Sequence, residues 1–188
     1  MTKAGPLRAI MGAMLVGAVF LGSAYGAGSE STEDPNAAFV VKGKSGLPLP
    51  RFVSLKSARV NSRIGPGITY AVDWLYLKAG LPMEIIQEYD NWRRVRDSDG
   101  AEGWINQSLL SGRRTAIAAP WQKGKKVQIS LLADPSRGAA TVAIIEPGVV
   151  GQIKSCNGDW CEISFDGHSG WMTQTLLWGA YPGEAVND

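Results

Sequence analysis

Histidine is almost absent from this chain: of 188 residues only His168 is one, and cysteine occurs only twice, as Cys156 and Cys161. Two sulfurs without a histidine cluster are too few for a zinc or other soft-metal site. A Ser/His/Asp triad would have to use His168, which sits between Gly167 and Ser169 in a turn, and no Gly-x-Ser-x-Gly elbow exists to carry the nucleophile. A Cys/His hydrolase would need a free thiolate beside a positioned base. Gly65-Pro66-Gly67 lacks the Gly-Lys-Ser/Thr ending of a phosphate loop and reads as a turn. Carboxylates such as Glu84, Glu88, Asp97 and Glu102 are present, but nothing singles out two at the separation glycoside cleavage needs. These gaps point to a protein that is not an enzyme and holds neither cofactor nor metal.

Net charge is also missing once the first residues are set aside. Lys3 and Arg8 precede an uncharged run from Ala9 to Gly22, and the small residues Gly22, Ser23, Ala24, Gly26 and Ala27 follow. This is the layout of a secretory signal peptide over residues 1–26, with an uncleaved anchor as the alternative. Removing it takes two of the 19 basic residues and none of the 17 acidic ones, so the formal charge of the remainder is zero. A balanced chain has no bulk attraction to nucleic acid or to an anionic membrane, and stable membrane insertion after cleavage is not expected. The expected location is the periplasm or the exterior.

After residue 26 no long stretch has helical periodicity. Short runs rich in Val, Ile, Tyr and Trp alternate with Gly, Pro, Asn and Asp, the pattern of strands and turns. The runs repeat. Trp92-Arg93-Arg94-Val95, Asp99-Gly100-Ala101-Glu102-Gly103-Trp104-Ile105 and Leu109-Leu110 return as Trp160-Cys161-Glu162-Ile163, Asp166-Gly167-His168-Ser169-Gly170-Trp171-Met172 and Leu176-Leu177. Trp92 and Trp160 are 68 apart, and the spacing falls to 67 from Asp99/Asp166 onward, where one turn loses a residue. Such a period predicts two small tandem modules. A flexible leader is expected over 27–50, a first module over 51–116, and a second module with a C-terminal tail over 117–188, with Ala118-Ala119-Pro120 as the joint.

Strand alternation divides the side chains between two faces. With Val95, Ile105, Ile163 and Met172 toward the core, Trp92, Trp104, Trp160 and Trp171 point outward, as do Arg94 and Arg96. Such tryptophans either pack on a neighbouring loop or on the other module, or line a groove for a ligand. Cys156 and Cys161 flank Asn157-Gly158-Asp159-Trp160, and in an exported chain a pair across a turn reads as a disulfide, the alternative being free thiols.

The combination of Arg59-Val60-Asn61-Ser62-Arg63-Ile64-Gly65-Pro66-Gly67, Ala79-Gly80-Leu81-Pro82, Asn91-Trp92-Arg93-Arg94-Val95 and Asp99-Gly100-x-x-Gly103-Trp104-Ile105 resembles the bacterial Src-homology-3-like (SH3-like) domains of secreted proteins, in the tandem form found in alphaproteobacteria. The resemblance runs through Leu177-Trp178-Gly179-Ala180-Tyr181-Pro182-Gly183-Glu184. It implies an all-β fold of two small, partly open barrels. It also implies a ligand groove in which Trp92 and Trp160 hold the position of the peptide-binding tryptophan of eukaryotic relatives, with Tyr70, Trp74 and Tyr76 on one wall in the first module. The expected partner is peptidoglycan or another envelope protein or peptide. In the second module Leu131-Leu132-Ala133-Asp134-Pro135-Ser136 replaces Asn61-x-Arg63-x-Gly65-Pro66, and its first loop has no aromatics. The different-class alternative is a structural or assembly factor whose Trp faces pack between modules or against a dedicated partner.

Overall fold

The structure is a computed structural model, and it describes residues 41–187; the expected signal peptide and the leader up to residue 40 lie outside the described residues. The expectation of an all-β chain holds: strands and short turns fill the described residues, with only single 3-10 turns beside them. A first sheet is made by β3 (Arg51–Leu55), β4 (Val60–Arg63), β5 (Val72–Tyr76), β6 (Pro82–Tyr89), β7 (Trp92–Arg96), β8 (Glu102–Asn106) and β9 (Leu110–Ser111). Its order is β5-β4-β8-β7-β6-β3-β9. A second is made by β10 (Thr115–Ala118), β11 (Ile129–Leu132), β12 (Thr141–Ile145), β13 (Val150–Asn157), β14 (Trp160–Phe165), β15 (His168–Thr173) and β16 (Leu177–Trp178), in the order β12-β11-β15-β14-β13-β10-β16. The two orders are the same arrangement written twice.

Each sheet curls into a barrel because β4 pairs with β5 on one side and meets β8 on the other, as β11 does with β12 and β15. That closure needs a residue without a side chain. A Cβ on Gly103 would lie 2.0 Å from Ser62 Oγ, and one on the equivalent Gly170 would lie 2.6 Å from the Leu132 carbonyl oxygen. The interiors fill with alternating inward residues, Val60, Met83, Ile85, Val95 and Ile105 in the first barrel and Leu131, Ile153, Ile163, Phe165 and Met172 in the second. The distal turns differ as the period implies: Asp97 Oδ1 accepts the N–H groups of Asp99 and Ala101 across the longer first turn. In the second, Asp166 and Gly167 alone, both at positive φ, join Phe165 to its partner His168.

Two segments differ from the sequence expectation. Residues 41–50, read as the end of a flexible leader, form a hairpin of β1 (Val41–Lys42) and β2 (Pro48–Leu49). Its turn is held from across the chain, since the Ser45 N–H and hydroxyl each donate to the Glu88 carboxylate at 2.8 Å. Thr115–Ala118, at the expected joint, pairs with β13 and β16, so the passage between sheets is the shorter run Gly112 to Arg114.

Both barrels are stapled at one equivalent point. A bulge shifts the register after Ile85 in β6 and after Ile153 in β13, which turns Glu88 and Cys156 inward, each directly opposite a residue of the next strand. In the first barrel the pair is Glu88 and Arg93, with Arg51 as a second cation 2.7 Å from Glu88. In the second it is Cys156 and Cys161, joined as the expected disulfide with Cα atoms 4.1 Å apart. The cover over this point also comes from outside each sheet's main path: the 43–45 turn lies over Glu88, and β17 (Ala185–Asn187) pairs Val186 with Cys156.

Burial alone would raise the Glu88 carboxyl, but the Ser45 backbone N–H and hydroxyl, Arg51 and Arg93 outweigh it and hold it at about 2, below its ordinary 4.5. The charged form is therefore the one the fold favours. Its contribution is complete above about pH 4.5 and is lost as the pH falls through about 2. Reduction should act on the other barrel, removing about 2 kcal/mol because it opens a short loop. Residue-resolved hydrogen exchange checks both: acid should release the strands around Glu88 while those around Cys156 and Cys161 stay protected, reductant should do the reverse, and equal loss at both points under either condition would contradict the assignment.

Candidate functional site

The outer face of the first sheet is set by parity. On β7, Arg93 and Val95 are buried while Trp92, Arg94 and Arg96 point outward; on β8, Gly103 and Ile105 are buried while Trp104 and Asn106 point outward. Directly opposite pairs then build a ladder, with Trp92 across from Asn106 and Trp104 between Arg94 on one side and Arg63 on the other. Next to it, Arg59, Asn61, Arg63, Ile68, Trp92, Asn106 and Leu109 line a groove of about 290 Å³. Arg63 is fixed there, its guanidinium donating to the Tyr70 carbonyl at 2.6 Å.

Tyr70, Trp74 and Tyr76, expected on one wall of the first module's groove, do not converge on Trp92. Tyr70 is half-exposed, yet its ring fills the space over Gly65 and Gly67, where a Cβ would come within 2.4 Å and 3.2 Å of it. Trp74 and Tyr76 turn to the other side of the sheet. An extra residue in β5 shifts the register, so Val72 is opposite the outward Arg63, while Trp74 and Tyr76 are opposite the inward Ser62 and Val60. Tyr76 is a core residue, 8% exposed, and its hydroxyl donates to Asp97 Oδ2 at 3.0 Å. Burial, and then the Asp97 carboxylate, push the Tyr76 phenol above its usual range. Trp74, 60% exposed, stands at the mouth of a separate cleft of about 210 Å³. That cleft runs from Pro82, Asp97 and Asp99 of the first barrel to Ile117, Pro120 and Lys123 of the second.

The second barrel repeats the outer groove with other walls. Trp160, opposite Thr173, lies with Ser130, Leu132, Arg137, Thr141 and Thr175, and the groove continues past Asp159, Pro182 and Gly183. Trp171 is opposite Glu162 and Leu132, as Trp104 is opposite Arg94 and Arg63. His168 is exposed on its hairpin, as expected.

A different set of aromatics joins the barrels. Phe52 packs edge-on against Trp178, with ring centroids 5.1 Å apart, and against Tyr181 at 4.7 Å. The Tyr181 hydroxyl donates to Glu84 Oε1 at 2.9 Å, and burial followed by Glu84 pushes this phenol up as well. Arg114 clasps Glu184 at 2.7 Å and donates to the Gly179 carbonyl. Burial pushes the Glu184 carboxyl up, but the hydrogen bonds and charge of Arg114 and the Tyr181 N–H bring it below the usual range. Trp178 thus covers the seam, and the repeated tryptophans do not.

The groove walls Arg59, Asn61, Arg63, Ile68 and Asn106 were missed by sequence reasoning that followed the aromatics. The signal was there, since Val60 and Ser62 must alternate inward and their odd-numbered neighbours outward.

A sequence profile described as the bacterial SH3 domain matches residues 56–112 and 125–179. Among curated proteins nothing matches. Similar solved structures include NlpC2 and NlpC1 from Trichomonas vaginalis, each 14% identical with a TM-score of 0.31. Those alignments cover 69% and 74% of this chain and 48% and 49% of the others. An NlpC/P60 family protein from Bacillus cereus is 8% identical over 68% of this chain and 56% of its own, with a TM-score of 0.30. The chain therefore spans about half the length of these structures.

The separation of Tyr76 from Trp74 is open to measurement by chemical denaturation. Tyr76→Phe should cost about 1 kcal/mol, because the Asp97 carboxylate loses a buried donor, while Trp74→Ala should stay within about 0.5 kcal/mol of the parent. A reversed order would return Tyr76 to the surface and Trp74 to the core.

Proposed function

The chain belongs to the bacterial SH3 domain family, matched in both barrels, and on that footing we propose that it is a non-enzymatic binding protein of the periplasm or the exterior. Its ligand belongs to the cell envelope, either peptidoglycan or a peptide or protein partner. The observation that carries this reading is the position of Trp92. Its ring is half-buried on an outer face and walled by polar and basic groups, while the seam between barrels is closed by Phe52, Trp178 and Tyr181. A flat aromatic left beside charged and amide groups suits a ligand that stacks and hydrogen-bonds together. Trp160 supports a second groove of different polarity, lined by Ser130, Thr141, Thr173 and Thr175.

Cosedimentation of the exported protein with purified peptidoglycan sacculi tests the proposal. Trp92→Ala should weaken retention by about 2 kcal/mol or more, as loss of an aromatic anchor does, and leave the melting temperature nearly unchanged. Lost stability with unchanged retention per folded molecule would make Trp92 scaffold and favour the assembly-factor alternative.

A further inference from the structure

We propose that the Trp92 groove selects a ligand carrying carboxylates along an extended chain, with Arg59 and Arg63 as their receptors; this rests on the reading of that groove as a binding site. The argument begins with how the other arginines of the first barrel are occupied. Arg51 and Arg93 pair with Glu88, Arg94 with Glu102, and Arg96 with Glu84 and Glu102. Among the described residues Arg59 and Arg63 have no carboxylate partner and both line the groove, while Arg113, which has none either, lies on the passage between the sheets beside Gly80. Five paired carboxylate contacts surround them on the same sheet, so the absence of a partner is local to this site.

The geometry adds to the charge. Arg63 is held by the Tyr70 carbonyl through one nitrogen, which positions the guanidinium while leaving donors for a ligand. Positions 59 and 63 are separated by four residues of extended chain, about 13 Å at the rise of a strand. Forks carried on positions that far apart along the strand can each receive a separate carboxylate of an extended acidic segment, which one compact phosphate does not supply. Asn61 lies between them and Asn106 across the ladder, offering amide donors and acceptors, while Trp92, Ile68 and Leu109 supply apolar contact.

The second barrel is the internal control. Leu132 stands opposite Trp171 where Arg63 stands opposite Trp104. Ser130 lines that groove in place of Asn61, and Asp159 adds a negative charge near Trp160. Only Arg137 supplies a cation there. Both grooves keep the tryptophan, so a preference for anions should follow the arginines and not the ring.

The experiment uses the exported full-length protein with two kinds of probe: sacculi, native or with carboxyl groups amidated, and soluble oligoglutamate with oligoglutamine as its neutral counterpart. Amidation, and exchange of glutamate for glutamine, should each weaken binding roughly tenfold, as should Arg59→Gln or Arg63→Gln. Lys78→Gln, at an exposed cation outside both grooves, should change nothing, and the glutamate preference should shrink as salt rises from about 50 to about 500 mM. Among the described residues the Arg59 side chain makes no hydrogen bond, so the effect of Arg59→Gln is independent of Arg63's bond to Tyr70. Retention that is lost in Trp92→Ala but indifferent to amidation and to both arginine variants would overturn this inference alone. Equal competition by inorganic phosphate would overturn the carboxylate assignment, and failure of the parent protein to bind any of the four probes would overturn the groove itself.

Discussion

The tight strand contact at Gly103 and at Gly170 is the constraint on which the rest depends. In each barrel a strand of the first hairpin lies against the strand after the distal turn so closely that a Cβ would collide, with the buried Ser62 hydroxyl at Gly103 and with the Leu132 carbonyl at Gly170. Without that crossing the sheet would stay open, and the alternation that sends Val60, Val95 and Ile105 inward would have no interior to fill. Closure also fixes what counts as outside. Trp104 and Trp171 directly follow the two glycines, so the contact that seals the barrel also orients the first outward tryptophan of its face.

The second level of organisation is the seam. Phe52 lies near the start of β3, beside the sheet's edge, and the tail from Trp178 to Glu184 reaches back to cover it. The tail is itself anchored from within the second barrel. The buried side chain of Gln174 donates to the carbonyls of Tyr181 and Glu184, and Arg114 clasps the Glu184 carboxylate. At Gly179, held at a φ of +136°, a Cβ would strike the Thr115 carbonyl at 2.2 Å, so the tail turns there only as glycine. Aromatic packing and a chain of hydrogen bonds thus join two units that each close independently.

Much of this was legible in the sequence, and the failures share a cause. Alternation placed Val95, Ile105, Ile163 and Met172 inside and the four repeated tryptophans outside, because those strands run without irregularity through their cores. The pairing of Cys156 with Cys161 followed from two cysteines flanking a short turn. Tyr76 was placed on the groove wall by its position in the first loop of the resemblance, whereas β5 pairs it with the inward Val60. Residues 41–50 were read as leader, Thr115 and Ala116 as the end of the first module and Ala118 as part of the joint, because their order comes from partners such as Glu88, Gln152 and Trp178, distant in sequence. The basic walls of the groove were visible as alternating residues but were overlooked beside the aromatics.

The stapled position has a consequence for how the protein matures. Burying Glu88 against Arg51 and Arg93 requires nothing but the chain itself, so the first barrel is complete as soon as its strands meet. Joining Cys156 to Cys161 removes two electrons and two protons, and an external acceptor must take them. The two barrels share a sequence repeat and a register, yet one becomes finished by folding and the other only after an encounter with an oxidant. A duplicated module has thereby acquired a sequence of assembly that its strand order alone does not contain.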